Sequence, residues 1–320
     1  MRCDGGVLGS RDVFFSRYFN DFEISDDKVI KKSKNKRKIY SEYNYYRLLP
    51  EVLKNYMVEP YDYKEDGSVS QYVMRRVKVP DFSKRWVAGE VSVGEFTDLM
   101  ETVFDFLRLR PRKKIDEAEY KKQADRIYDE KLKSRIETFR REIEDKEFVG
   151  GIKKGDVERK LSEVLSRYRR LYVRESMAGD DSVISHGDLC FSNMFFGDER
   201  GKLLLIDPRG AENENELWMD PYYDVAKLSH SVLGGYDFFN AGLYDVSPEL
   251  DLGLKLGEDK RRYMEIFQDY LEKNNYEQRR VRLCEASLFL SMLPMHVDDL
   301  KKTVGFILNA DKILAEVENV

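Results

Sequence analysis

The residues best suited to chemistry lie in one stretch of the 320-residue chain. His186-Gly187-Asp188 follows a short apolar run, and Asn193 comes five residues after the aspartate. Two further apolar runs, 194–196 and 203–206, enclose a segment of turn composition, so they predict a β-hairpin. Asn193 precedes the first strand and Asp207 follows the second. Because the strands are antiparallel, these two side chains are predicted to be neighbours.

The predicted cluster contains two carboxylates, Asp188 and Asp207, and the amide of Asn193. Oxygen ligands without cysteine or clustered histidine favour Mg²⁺ over zinc. Mg²⁺ with so few protein ligands completes its shell with water and substrate phosphates. Phosphoryl transfer requires such a site together with a carboxylate that accepts the proton of the attacking hydroxyl.

Three motifs then carry a resemblance to a known family. His186-Gly187-Asp188 with Asn193 resembles the catalytic loop of the aminoglycoside phosphotransferase and choline kinase family, the small-molecule counterpart of the protein-kinase loop. The Ile-Asp-Pro-Arg-Gly segment at 206–210 resembles its metal-binding motif, and Asp-Pro-Tyr-Tyr-Asp-Val-Ala at 220–226 resembles the segment that follows. Each motif alone is also compatible with an ordinary turn. Their joint order favours the site.

The resemblance implies a role for each polar residue of these motifs. Asp188 would be the catalytic base, and Asn193 and Asp207 would be the Mg²⁺ ligands. His186 and Asp224 would support the loop structurally.

The resemblance also implies a nucleotide site earlier in the chain. Lys31 ends a predicted strand at the position of the kinase lysine, while Lys32 would point to the opposite face. We choose Lys31; the alternative is that the basic run 31–38 is only solvated. Glu42, in the first turn of a helix predicted from near 39 to 49, is the expected partner of the lysine.

The adenine side of this site is assigned to the end of a strand predicted at 69–77. Backbone groups near Met74, Arg75 and Arg76 would bind the base. The preceding strand is predicted at 56–63. The glycines at 5–9 could cover phosphates, but a turn or mobile terminus is favoured because no strand precedes them. The implied cofactors are ATP, or another nucleoside triphosphate, and Mg²⁺.

The expected fold is therefore α+β, a bilobal protein-kinase-like fold with a small β-rich N-lobe and a larger, mainly helical C-lobe. We assign residues 1–77 to the nucleotide-binding lobe and 78–320 to the catalytic and acceptor-binding lobe. A helical region spans about 90–175 before the catalytic loop. In it a capping box, Ser92 with Glu95, predicts a helix to Leu109, and apolar spacing predicts another over 117–148.

Composition narrows the partners and the setting. The net charge is −5 although 36% of residues are charged, so no basic excess indicates a nucleic-acid partner. Three cysteines at wide spacing are not a disulfide framework, and no apolar run is long enough for an integral membrane segment. We expect a cytoplasmic protein, and the oligomeric state is left open.

The acceptor is predicted to be a small-molecule hydroxyl, since 211–219 is too short for a protein-kinase activation segment and contains no Ala-Pro-Glu. Glu212, Glu214 and Glu216 either hold a cation or form a solvated loop. The segments 207–210 and 223–237 resemble a branch of the family linked to bacterial capsule or surface-polysaccharide synthesis, which implies a sugar or sugar-like alcohol. Choline, ethanolamine or an aminoglycoside is the alternative, and a catalytically silent pseudokinase that acts as a binding module is another.

Overall fold

The computed structural model describes residues 21–148, 150–175, 177–197, 202–257 and 260–319. The glycine segment 5–9 lies outside these ranges.

The N-terminal part is an antiparallel sheet of four strands in the order β1-β2-β4-β3, with two helices between β2 and β3. Its elements are β1 Asp21–Ile24, β2 Lys28–Ser33, α1 Lys36–Leu48, α2 Glu51–Lys54, β3 Pro60–Asp66 and β4 Val69–Arg75. In β2, Lys31 is fully buried while Lys32 is partly exposed, as the alternation of a strand requires.

Two predicted boundaries in this part are wrong. Helix α1 begins at Lys36, not near residue 39, because the Asn35 side chain accepts the N–H of Lys38 and caps the helix three residues earlier. Glu42 therefore lies beyond the first turn. Strand β3 begins at Pro60, since 51–54 forms α2 and the following turn takes up residue 56.

The next part is mainly helical, as expected. It contains α3 Phe82–Val87, α4 Val93–Leu109, β5 Arg112–Lys114, α5 Glu117–Asp125, a π turn Arg126–Glu130, α6 Lys131–Glu142 and α7 Lys154–Glu175. The Ser92 hydroxyl accepts the N–H of Glu95, which confirms the predicted cap of α4. The helix predicted over 117–148 is interrupted by the π turn and ends at Glu142. Apolar residues spaced at three and four positions did not reveal the interruption, because a π turn inserts only one extra residue.

The remaining elements surround the predicted loop motifs. They are β6 Asp181–Ile184, β7 Met194–Phe195, β8 Leu204–Leu205, β9 Trp218–Met219, α8 Tyr222–Val232, α9 Tyr236–Asn240, β10 Tyr244–Val246, β11 Leu252–Leu254, α10 Lys260–Lys273, α11 Gln278–Ser291 and α12 Leu300–Asn319. Strands β7 and β8 pair antiparallel, with Met194 opposite Leu205, so the predicted hairpin is confirmed. Strand β6 lies between β5 and β9.

Three apolar clusters hold these elements together. One lies among α5–α7, α11 and α12, and a second packs α4 and α10 against the β7–β8 hairpin. The third is small and joins the N-terminal sheet to the hairpin through Ile39, Val58, Tyr72, Met74 and Leu204. Burying one large apolar side chain, such as Ile39 or Leu204, stabilises the fold by roughly 1.5–3 kcal/mol. The hairpin that ends in the predicted site is therefore packed on both of its sides.

The architecture is α+β, with a small sheet at the N-terminal side and a helical C-terminal part. This is the predicted fold class. None of the helices in the described ranges combines the length and apolar composition needed to cross a bilayer.

Candidate active site

The loop after β6 is held by a buried carboxylate. Asp224, in the first turn of α8, accepts the backbone N–H of His186 at 3.0 Å and that of Gly187 at 2.8 Å. The Arg110 guanidinium bonds to the same carboxylate at 2.9 Å, and both side chains are fully buried. A buried charge needs such a partner, because desolvation would otherwise destabilise it. Arg110 was not predicted, since an arginine at a helix C-terminus needs no tertiary partner to be favourable.

A second contact joins this loop to the segment after β8. Gly187 has φ +79°, and a Cβ there would lie 2.5 Å from Cβ of Arg209. The Arg209 N–H also donates to the His186 carbonyl at 2.9 Å. Only glycine permits both the backbone conformation and this close approach.

Asp188 and Asn193 lie side by side. The Asn193 amide donates to the backbone carbonyl and to Oδ2 of Asp188, both at 2.9 Å. The backbone carbonyl of Asn193 accepts the N–H of Ile206 at 3.1 Å, across the open end of the hairpin. Asp207 therefore follows directly on the residue bonded to Asn193. The Asp188 side chain is 29% exposed, so it is accessible to a reactant.

On the N-terminal side, Lys31 lies between two carboxylates. Its Nζ is 2.7 Å from Oε2 of Glu42 and 2.8 Å from Oδ1 of Asp207. Burial would lower the pKa of Lys31, but the two carboxylates hold it above its ordinary value, so the ammonium is charged. Lys32 instead pairs with Glu23 at the edge of the sheet.

Helix α1 is fitted closely to the segment that carries Asp207. Gly210 has φ +88°, and a Cβ there would lie 2.9 Å from the Ser41 backbone carbon and 3.0 Å from the Glu42 nitrogen. The Ala211 N–H donates to the Ser41 carbonyl at 2.9 Å. Asp207 itself has φ +54°, a strained conformation for a residue other than glycine that is typical of functional sites.

A cleft beside Lys31 separates the sheet from the hairpin. It is lined by Glu42, Tyr46, Met57, Val58, Pro60, Tyr72, Met74, Ile206, Asp207 and Pro208. Of the three residues predicted near the adenine, Met74 lines this cleft, whereas Arg75 and Arg76 are not among the lining residues. The Arg76 N–H already donates to the Asp27 carbonyl at 2.8 Å. Met57 and Val58 were missed, because the segment was assigned to a strand.

The donor set fits a divalent ion with few protein ligands. In the described ranges, no group of three or more His, Cys, Asp or Glu side chains is placed to hold a metal. Asn193 and Asp207 would supply one amide and one carboxylate oxygen. The side-chain nitrogen of Asn193 donates to Asp188, so the side-chain oxygen Oδ1 is the atom that can bind a cation. Two oxygen ligands plus water and phosphate match the coordination habit of Mg²⁺.

The acidic loop after Asp207 has its own partners. Glu212 forms an ion pair with Arg37, and Glu216 accepts the backbone N–H of Glu212 at 2.9 Å and the Asn213 amide at 3.1 Å. Glu214 is exposed. These contacts agree with the solvated-loop interpretation of this loop.

The charged neighbour of Asp188 is a lysine that we did not predict as a site residue. Lys227 Nζ lies 2.9 Å from Oδ1 of Asp188, and its side chain is only 14% exposed. The signal was present, because Lys227 follows Asp224 by three residues and so shares its helix face.

Comparison with known proteins shows similarity only at the level of structure. No protein-family model and no curated protein matches the chain. A thermostable mutant of the aminoglycoside phosphotransferase APH(4)-Ia in its apo form superposes with a TM-score of 0.58 at 13% identity, over 92% of this chain and 89% of that one. A ternary complex of the same enzyme with ADP and hygromycin B gives 0.52 at 14%, over 90% and 86%. The chain therefore has the protein-kinase-like fold of an aminoglycoside phosphotransferase.

Proposed function

We propose that the protein is an ATP- and Mg²⁺-dependent phosphotransferase that phosphorylates a hydroxyl of a small molecule. The observation that carries this proposal is the convergence of two groups at one hairpin. Lys31, Glu42 and Asp207 form a buried ion cluster on one side, and Asp188 with Asn193 lies at the open end of the hairpin. Packing alone does not require these groups to converge.

On this proposal, residues 1–77 form the nucleotide-binding lobe and 78–320 the catalytic and acceptor-binding lobe. The adenine would enter the cleft at Met74, and Lys31, oriented by Glu42, would bind the nucleotide phosphates. A bound Mg²⁺, held by Asn193 and Asp207, would neutralise charge on those phosphates.

Asp188 is the proposed catalytic base. It would accept the hydroxyl proton of the acceptor, whose oxygen forms a bond to the γ-phosphorus as the bond to ADP breaks. Its position depends on the loop that Asp224 holds and on His186, whose ring packs against Tyr45. Positioning and electrostatic stabilisation would supply most of the rate enhancement.

For the acceptor we propose a sugar or sugar-like alcohol. The alternative, a cationic acceptor such as choline, ethanolamine or an aminoglycoside, depended on Glu212, Glu214 and Glu216. The described partners of Glu212 and Glu216 are Arg37 and their own loop, so this alternative has less support. A silent binding module is the candidate from another class, and the intact set Asp188, Asn193 and Asp207 argues against it.

The test is an ADP-release assay with Mg-ATP and pooled sugars, alditols, amino alcohols and aminoglycosides. We expect turnover with one pool and a loss of about 10²–10⁴-fold in Asp188→Asn, because the proton acceptor is removed. Asp180→Asn, at an exposed aspartate paired with Lys114, is the matched control and should keep full activity.

Thermal shift with Mg-ATP separates the outcomes. Asp188→Asn should keep the shift of the parent protein, because the nucleotide contacts are made by other residues. A shift without turnover in any pool would leave either the binding module or a kinase whose acceptor lies outside these pools. No shift at all would contradict the nucleotide site.

A further inference from the structure

Three cationic side chains from separate parts of the chain, together with Asp188, lie close enough to Tyr223 to act on its hydroxyl. Lys227 in α8 bonds to Oδ1 of Asp188, the oxygen that does not accept from Asn193. The stem of Arg209 crosses Gly187, the residue before Asp188, and its Nη1 donates to Sδ of Met219 at 3.5 Å. Lys131 lies at the end of the π turn, with Nζ 6.0 Å from the centre of the Tyr223 ring. The two oxygens of Asp188 thus face different groups, the Asn193 amide on one side and the Lys227 ammonium on the other.

Tyr223 lies within this positive field. Its side chain is buried. Burial raises the pKa of a phenol, yet Lys131, Lys227 and Arg209 hold the pKa of Tyr223 below its ordinary value. Asp188 is the carboxylate that opposes them.

Two of these three cations have no carboxylate partner of their own among the described residues, in contrast to other buried cations of the site. Arg110 is paired with Asp224, and Lys31 has two carboxylates. Among the described residues, neither Lys131 nor Arg209 forms an ion pair with a carboxylate. The charges that act most strongly on Tyr223 are three cations and one carboxylate, that of Asp188, and this local excess of positive charge favours an anion.

We propose that the acceptor carries an oxyanion, a phosphate monoester or a carboxylate, bound by Lys131, Arg209 and the Tyr223 hydroxyl while its hydroxyl approaches Asp188. This inference rests on the proposed function and specifies its substrate class. The transfer itself is unchanged: the hydroxyl proton passes to Asp188, the oxygen–phosphorus bond forms, and ADP leaves. The anionic group takes no part in bond making and only positions the acceptor.

The chemistry of the three groups suits an oxyanion. An arginine presents paired N–H donors that match phosphate and carboxylate geometry, and a lysine adds a compact charge. A tyrosine hydroxyl beside them is a further donor. The bound anion would also compensate for the repulsion among the cations, and Lys227 would keep its contact with Asp188.

The first experiment uses matched acceptors on the full chain. Glucose, glucose 6-phosphate and glucuronate form one series, and glycerol, glycerol 3-phosphate and glycerate form another. We expect turnover with charged members, and the phosphate and carboxylate arms identify the source of the oxyanion. Faster turnover of the neutral member of a series would overturn the inference while leaving the kinase intact.

The second experiment measures sulfate and inorganic phosphate binding by calorimetry with Mg-AMP-PNP present. Lys131→Gln and Arg209→Gln should each weaken anion binding by about tenfold or more, because each removes a charge-assisted hydrogen bond. Lys133→Gln is the control, since Lys133 is exposed, pairs with Asp129 and carries the same charge change. Equal affinity in all four proteins, or sulfate binding too weak to measure in the parent, would overturn the inference.

Michaelis constants distinguish an acceptor site from a phosphate contact to ATP. In Lys131→Gln and Arg209→Gln, the KM of the charged acceptor should rise and that of ATP should not. A rise in the KM of ATP alone would assign the cations to the nucleotide and overturn the inference. If nothing turns over and Mg-AMP-PNP does not bind, the proposed function fails, and sulfate binding by the nucleotide-free protein still decides whether the anion site exists.

Discussion

The two charged groups beside the hairpin are built in opposite ways. Lys31 is a buried cation enclosed by the carboxylates of Glu42 and Asp207, so the protein itself compensates its charge with an excess of negative charge. Asp188 is a partly exposed carboxylate paired with Lys227, and Lys131 and Arg209 add positive charge around the nearby Tyr223. We propose that the first group binds a metal-bound nucleotide and the second an anionic reactant. The two groups lie on either side of one hairpin. The charge of the first is compensated within the protein, whereas the second keeps a positive charge that a ligand can compensate.

The largest stability difference should lie between the lysines of the two groups. Lys31→Met leaves the buried carboxylate of Glu42 without its partner and should lower the free energy of unfolding by about 3–5 kcal/mol. Lys227→Met should cost about 1 kcal/mol or less, since Asp188 is partly exposed and solvent can replace the lysine.

Urea denaturation followed by circular dichroism measures both changes. Lys32→Met is the matched control for Lys31, because Lys32 is the next residue of β2 and pairs with the exposed Glu23. Equal losses in Lys31→Met and Lys227→Met would contradict the distinction between a compensated and an uncompensated group.

A smaller effect is expected from the junction that brings Glu42 to Asp207. In Gly210→Ala the φ of +88° is unfavourable for alanine, and the added Cβ would clash with the backbone of α1. The substitution should destabilise the protein by roughly 2–4 kcal/mol. Gly242→Ala has φ +72° but no atom within 4 Å of the added Cβ, so it isolates the conformational cost, about 1 kcal/mol. Thermal unfolding compares the two variants. Equal melting temperatures would show that α1 moves aside without a loss of stability.

A further effect is a pH dependence of the free energy of unfolding, to which the positive charge of Lys227 contributes. Burial lowers the pKa of His230 well below its ordinary value, Lys227 lowers it further, and burial also lowers that of His186. A neutral buried ring stabilises the fold above the unfolded pKa, about 6.5, and this stability is lost as the pH falls. The free energy of unfolding should therefore fall between pH 7 and pH 5, by at most about 1.4 kcal/mol per pH unit for each histidine.

Two variants sharpen this measurement. His230→Phe keeps the ring that stacks on Tyr236 and removes one titrating group, so the fall should be less steep. Lys227→Met removes the nearby charge, brings the pKa of His230 closer to its ordinary value, and should flatten the fall slightly. Parallel curves for all three proteins would show that His230 does not titrate on unfolding.

Much of the fold and part of the site could be predicted from the sequence, because they depend on local patterns. Two apolar runs around turn-forming residues predicted the β7–β8 hairpin, and the capping box predicted the start of α4. Strand alternation also separated Lys31 from Lys32. The errors lie at boundaries, where the Asn35 cap extends α1 and the π turn interrupts the long helix.

What the sequence by itself determined is the order of the polar motifs and the hairpin that brings Asn193 next to Asp207. Only the tertiary structure decided which charges surround Asp188. The sequence pointed to the acidic loop at 212–216, because those residues follow Asp207 directly, whereas Lys131 and Lys227 are far from Asp188 along the chain. Their placement depends on helix packing and on the π turn, and one residue inserted into a helix turns every later side chain by about 100°. Charge at a site is summed over all neighbours in space, so local sequence patterns cannot give its sign.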